Sequence, residues 1–219
     1  MEHYKLRGHI IGMILGDGHI SAVKRKNGNV YCRASFSSTS LDYLKWKQEI
    51  IEQITTINIY QSKDSQGWNK KKLFNLGTKG HPLYLKLRMR MYNGGRRTID
   101  PFLMKQLSKL GLLFWYLDDG SYDNRMKQIF IHSNGYAYSD HLVLQKGLND
   151  YFGLRFNIHQ KFKKSRGKRY CLLYLTAKDR LKFYEDIIEQ YLDKIPNDLK
   201  YKIPIKGELI ELNNAINKI

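Results

Sequence analysis

"IIGMILGDG" (Ile10–Gly18) carries an apolar, helix-like run into a carboxylate, Asp17, set between two glycines. Further along, "LLFWYLDDG" (Leu112–Gly120) does the same and ends at Asp118-Asp119-Gly120. Each run opens the same succession of patterns. After the first come a Lys/Asn-rich turn, "VKRKNGN", and "YCRASFS", where Cys32, Ala34 and Phe36 alternate with Tyr31, Arg33, Ser35 and Ser37. That period-two alternation predicts a strand with one buried face. "SLDYLKWKQEIIEQI" predicts a helix with Ser40 as N-cap and an inner face of Leu41, Leu44, Ile51 and Ile54. A second hairpin over "IYQSKDSQGWNKKKLFNLGT" and a helix over "HPLYLKLRMRMY" complete the first half.

The second half repeats the order. "KQIFIHS" reads as a strand, "YSDHLVLQKGLNDYF" as a helix, "FNIHQKFKKSRGKRYCLLYLT" as a hairpin and "AKDRLKFYEDIIEQYL" as one long closing helix. Asp17 and Asp119 lie 102 positions apart and Thr78 and Thr176 lie 98 apart, a near-constant offset that marks a true repeat. The expected fold is α+β, two pseudo-symmetric α-β-β-α-β-β-α units. Residues 1–95 form the first half, 96–107 a linker and 108–204 the second half, with a C-terminal extension, 205–219, that shows no role of its own.

The 219 residues suffice for one substantial domain or two small halves with a shared core. A formal charge of +18 points to a polyanionic partner, with nucleic acid ahead of a membrane surface. No stretch approaches the roughly 20 apolar residues of a membrane span, and "MEHYKLRG" has no signal-peptide core, so an intracellular location is expected. Cys32 and Cys171 are too few for a disulfide framework or a zinc site.

Gly8, Gly12 and Gly16 fall on one stripe of the first helix. Glycine in a helix costs about 0.8–1 kcal/mol relative to alanine, so three on one face imply a close backbone approach. The equivalent positions of the second helix are Leu110, Phe114 and Asp118, which predicts an asymmetric crossing with Phe114 lying on the glycine groove. Side-by-side pairing brings Asp17 and Asp119 together at helix C-termini, where partial negative charge already disfavours carboxylates. A divalent cation resolves that conflict, and an all-oxygen site suits Mg²⁺, with Mn²⁺ able to substitute. A single Asp-Gly would be only a turn, but two in register indicate a site.

Each half also presents strands with polar and basic outward residues, and two stretches, His19 to Ser40 and Arg155 to Arg169, contain no acid at all. A β-ribbon fits the DNA major groove, where such side chains reach phosphates and base edges. Candidate DNA contacts in the first half are Lys24, Arg25, Lys26, Asn29, Tyr31, Arg33, Ser35, Ser37, Lys63, Trp68, Asn69, Lys70, Lys72 and Asn75. In the second half they are Gln128, His132, His159, Lys161, Lys163, Lys164, Arg166, Lys168, Arg169 and Tyr170.

The paired motifs, with the α-β-β-α-β-β-α order up to Pro204, resemble the LAGLIDADG homing endonucleases of the single-chain, two-motif kind. The resemblance implies a saddle of antiparallel sheets over two packed helices, and cleavage of double-stranded DNA across the minor groove of a long asymmetric site. Asp17 and Asp119 match the motif's final acid and would hold metal, assisted by the carbonyls of Gly16 and Asp118. "RRTI" (Arg96–Ile99) and "YKIP" (Tyr201–Pro204) resemble the contexts of a basic residue in each site, which makes Arg97 and Lys202 catalytic candidates. Arg97 departs from the usual lysine and cannot serve as a base, which suggests unequal cutting of the two strands. Phe114 departs too, at a position the motif keeps small. The resemblance further implies a monomer that needs no small-molecule cofactor and promotes intron or gene mobility. The rival readings on this fold are a maturase bound to intron RNA and a DNA-binding protein that does not cut.

Overall fold

The computed structural model describes residues 2–62, 72–163 and 167–217. The first half runs α1 (Glu2–Leu15), β1 (His19–Lys24), β2 (Val30–Ser38), α2 (Leu41–Ile51), β3 (Ile57–Gln61), β4 (Phe74–Thr78) and α3 (Pro82–Met91). A two-stranded ribbon of β5 (Tyr92–Asn93) and β6 (Arg96–Arg97) and a short helix, α4 (Pro101–Gln106), follow. The second half runs α5 (Lys109–Asp119), β7 (Gly120–Asp123), β8 (Gln128–Ile131), α6 (Tyr138–Phe152), β9 (Phe156–Lys163) and β10 (Lys168–Leu175). After α7 (Arg180–Phe183) the chain ends its described part in α8 (Lys206–Ile216). Among the described residues no helix is long and apolar enough to cross a membrane.

The repeat appears in the sheets. Each half has one open antiparallel sheet of four strands, ordered β1-β2-β4-β3 in the first and β7-β8-β10-β9 in the second. In β2 the alternation holds: Cys32, Ala34 and Phe36 are buried while Arg33, Ser35 and Ser37 face out, paired with β1 from His19↔Ser35 to Lys24↔Val30.

Ser40 caps α2 as expected, its hydroxyl accepting the Tyr43 N–H at 3.2 Å and also donating to Asp198 at 3.0 Å. Ser40→Ala removes both bonds. It is expected to cost about 1–2 kcal/mol and to lower Tm by roughly 2–8 °C in a thermal melt. The buried face of α2 is broader than the apolar spacing alone indicates: it holds Tyr43, Leu44, Trp46, Lys47, Ile50 and Ile51, while Leu41 and Ile54 are only half-buried. The expected long closing helix is broken. A 3₁₀ turn (Ala177–Asp179), α7, a π turn (Tyr184–Ile188) and another 3₁₀ turn (Glu189–Tyr191) share its span. The C-terminal extension has a structural role: α8 buries Leu209 and pairs Glu208 with Lys127 and Lys206 with Glu189, each at 2.6 Å.

The centre of the molecule is the contact of α1 with α5. A Cβ placed on Gly12 would come within 1.8 Å of the Gly111 carbonyl oxygen, and one on Gly111 within 2.2 Å of the Gly8 carbonyl oxygen. Backbone therefore meets backbone, and Gly16 in turn faces the Asp118 side chain. This corrects the expectation for Phe114 and Leu110. A ring has no room where two backbones touch, so the residue facing Gly12 is Gly111. Phe114 turns aside to pack on Trp46, ring centroids 4.7 Å apart, and Leu110 borders a cleft with Leu6, His9 and Trp46.

Candidate active site at the paired helix ends

The two motif glycines explain how each helix stops. A Cβ on Gly18 would lie 2.6 Å from the Met13 carbonyl oxygen and from the Phe36 ring, and one on Gly120 would lie 2.1 Å from the Tyr116 ring. Each chain thus folds tightly over the last helical turn, which leaves the preceding aspartate at the helix end. Because α1 and α5 cross at Gly12 and Gly111, Asp17, Asp118 and Asp119 gather at one place.

The electrostatics record that gathering. Burial, then the nearby Asp17 and Asp118, push the Asp119 carboxyl up to about 7. Burial and then Asp118 raise Asp17 as well, although Asp17 keeps one side open to solvent. Lys202 is lowered, because burial outweighs the pull of the three acids. Two carboxylates that resist ionising together, offering only oxygen, fit a hard divalent cation. Among the described residues no group of three or more His, Cys, Asp or Glu side chains is arranged to enclose a metal. The donor set is therefore sparse, as suits Mg²⁺, which completes its shell with water and phosphate oxygens.

Arg97 and Lys202 occupy matching positions. Lys202 Nζ donates to the carbonyl oxygens of Leu117 at 2.6 Å and Asp118 at 3.0 Å. Arg97 donates to Gly16 O at 2.9 Å and also to Gly18 O. Each cation thus sits on the carbonyl end of one motif helix and offsets its partial negative charge. The Gly16 and Asp118 carbonyls, expected as metal ligands, each already accept from one of these cations, with a second lone pair left over.

One functional residue escapes the sequence reading. Lys47, in the middle of α2, is wholly buried, and its ammonium holds both oxygens of Asp118 at 2.8 and 2.9 Å. The rings of Tyr43 and Phe36 enclose it, 4.3 and 5.5 Å from the ammonium. The signal was present: Lys47 falls three residues after Leu44 and four before Ile51, on the apolar stripe. Removing either partner of such a pair strands a buried charge and costs about 3–5 kcal/mol, whereas replacing both with apolar groups is often neutral.

The candidate DNA contacts divide. Lys24, Arg25, Lys26, Asn29, Arg33, Ser35, Ser37, Lys72, His132, His159, Lys161 and Arg169 are exposed, and Tyr31, Asn75 and Tyr170 are half-buried. Cross-strand pairing sets Tyr170 beside Lys161. Ser37 donates to Asn75 at 2.7 Å, and Ser121 and His132 share a hydrogen bond of 2.8 Å. Gln128 is not available to DNA. It is buried, donates to Leu175 O at 2.7 Å and accepts from Arg180 at 2.5 Å, because Arg180 needs an acceptor where it is enclosed. Lys63, Trp68, Asn69, Lys70, Lys164 and Arg166 lie outside the described residues, as do the side chains of Lys163 and Lys168.

A model of the LAGLIDADG DNA endonuclease family matches residues 7–183. The chain is 25% identical over 195 residues to a "Protein RecA" of Mycolicibacterium flavescens, covering 84% of this chain and 43% of that protein. It therefore spans less than half the length of that curated relative. It is also 28% identical over 104 residues to a "Probable intron-encoded DNA endonuclease 3" of Mycosarcoma maydis, covering 48% of this chain and 69% of that one. Among solved structures, the homing endonuclease I-WcaI bound to its DNA recognition sequence superposes with a TM-score of 0.72 at 24% identity, covering 92% of this chain and 87% of that one. I-DmoI in complex with DNA and Mn gives a TM-score of 0.54 at 21% identity, covering 84% of this chain and 97% of that one. These two likenesses establish the shared fold. With two motif helices crossing at glycine and an aspartate closing each, over a family match that takes in most of its length, the chain belongs to the LAGLIDADG DNA endonuclease family.

Proposed function

We propose that this protein is a homing endonuclease that cuts both strands of a long, asymmetric DNA site in a Mg²⁺-dependent reaction and so promotes the mobility of an intron or gene. The observation that carries the reading is the meeting of Asp17 and Asp119 at the ends of α1 and α5, where burial and neighbouring carboxylates disfavour the ionisation of both, Asp17 acting on Asp119 and Asp118 on each. When bound, a divalent ion supplies Lewis-acid charge at the scissile phosphate and activates water for attack. The chain's own residues do the rest. Asp17 and Asp119 hold the cation, with the free lone pairs of the Gly16 and Asp118 carbonyls beside them. Lys202 and Arg97 keep positive charge where negative charge develops on the phosphate, and being pre-placed on the helix ends they need no reorganisation.

The open sheets act as the two wings of a saddle, and their outward residues track the duplex. Arg33, Ser35 and Ser37 work from one wing and His159, Lys161 and Arg169 from the other. One chain carries both motifs, so a monomer suffices. Incubation of the purified protein with a randomised or genomic DNA library, followed by end sequencing, tests the reading. In Mg²⁺ the ends should map to one recurrent site cut on both strands, and in EDTA they should vanish. A library left intact in both Mg²⁺ and Mn²⁺ while the protein still binds DNA would favour the non-cleaving alternative.

A further inference from the structure

The two halves differ at one buried place beside the site. Align α2 and α6 by their N-caps, Ser40 and Ala137, and the buried Leu44, Lys47, Ile50 and Ile51 fall on His141, Leu144, Gly147 and Leu148, all buried as well. The counterpart of Lys47 is thus Leu144, fully buried and apolar. By the motif alignment the counterpart of Asp118 is Gly16, which has no side chain. The Lys47–Asp118 ion pair is therefore built on one side of the pseudo-twofold only.

Its placement links it to one of the two aspartates. The Asp118 carboxylate crosses from α5 to the end of α1, packs on Gly16 and accepts the backbone N–H of Asp17 at 3.2 Å. It cannot swing away, because Lys47 grips both of its oxygens and is itself walled in by Tyr43 and Phe36. We propose that Lys47 and Asp118 are a positioning pair that fixes the Asp17 side of the active site, and that this one-sided clamp makes the two strand cuts unequal. The inference rests on the nuclease reading above. Neither side chain need touch DNA. Lys47 orients Asp118, Asp118 orients Asp17, and a displacement of about 1 Å at a reacting centre is worth about a hundredfold in rate.

A merely structural ion pair would leave the strand ratio alone, and that separates the two roles. The variants are Lys47→Leu, which strands the buried carboxylate, and the double variant Lys47→Leu/Asp118→Ala, which approximates the apolar layout of the other half. Tm is read without metal or DNA, and each strand of a mapped target duplex carries its own end label. The single variant should lose roughly 10 °C or more, and the double should melt within a few degrees of wild type. In the double variant one strand should be cut at least about tenfold more slowly while the other stays within about twofold, so that the ratio of the two strand rates shifts by about tenfold from its wild-type value. An unchanged strand ratio, or both strands slowed alike in a stably folded double variant, overturns the inference and leaves the nuclease reading intact. A wild-type protein that cuts neither strand sinks the nuclease reading itself and this inference with it.

Discussion

Asp17→Asn and Asp119→Asn should each abolish double-strand cleavage, by at least about a thousandfold in rate, while DNA binding persists. An amide keeps the shape of the carboxylate but loses its charge and most of its hold on a hard cation, and every tenfold in rate corresponds to about 1.4 kcal/mol of transition-state stabilisation. Binding in a filter or mobility-shift assay should hold or tighten, since a negative charge facing phosphate is removed. Either variant cutting both strands at the wild-type rate in Mg²⁺ would end the assignment.

The same substitution has a stability signature. In the metal-free protein Asp119 is held up at about 7, well above its unfolded value. The folded state then binds the proton more tightly than the unfolded one. The resulting stabilisation is complete below the unfolded carboxylate range and is lost as pH rises through about 7. Asp119→Asn should flatten this slope and raise the metal-free Tm at pH 8 relative to wild type, whereas added Mg²⁺ should raise Tm in wild type only. Melts across pH 5 to 8 with EDTA or Mg²⁺ check both signs.

Gly12→Ala should be among the most damaging single changes in the chain. In an ordinary helix the swap gains about 1 kcal/mol. Here the added methyl would sit 1.8 Å from the Gly111 carbonyl oxygen and 2.5 Å from its Cα, so one helix must move off the other. Such a clash between backbones has no flexible side chain to yield. The cost should reach about 4 kcal/mol, lowering Tm by roughly 8–16 °C or leaving the protein insoluble. Gly207→Ala, whose Cβ meets nothing within 4 Å in α8, is the control and should be neutral or slightly stabilising. A Gly12→Ala protein as stable as wild type would mean that α1 and α5 do not pack as described.

Much of this was legible in the residues. The alternation of β2, the Ser40 cap and the order of elements in both halves depend on local chemistry, and local chemistry is written in short windows. The two aspartates stood out because the motif occurs twice at nearly constant spacing. The burial of Gln128 was not legible, since its acceptor demand comes from Arg180, more than fifty residues away. Nor was the true partner of Gly12. Counting from the motif ends pairs it with Phe114, but the helices cross three residues out of that register, where glycine on both sides lets the backbones close.

The sequence by itself determined most of the helices and strands, though not the broken closing helix, and it determined that the halves repeat and that two carboxylates terminate paired apolar helices. Only the tertiary structure decided what surrounds them. It sets Arg97 and Lys202 on the helix-end carbonyls and sinks Lys47 beneath Asp118 on one side of the pseudo-twofold. The reason is that helix periodicity specifies which face is buried but not what lies opposite, and a charge is tolerated on an apolar face only when the fold delivers its partner.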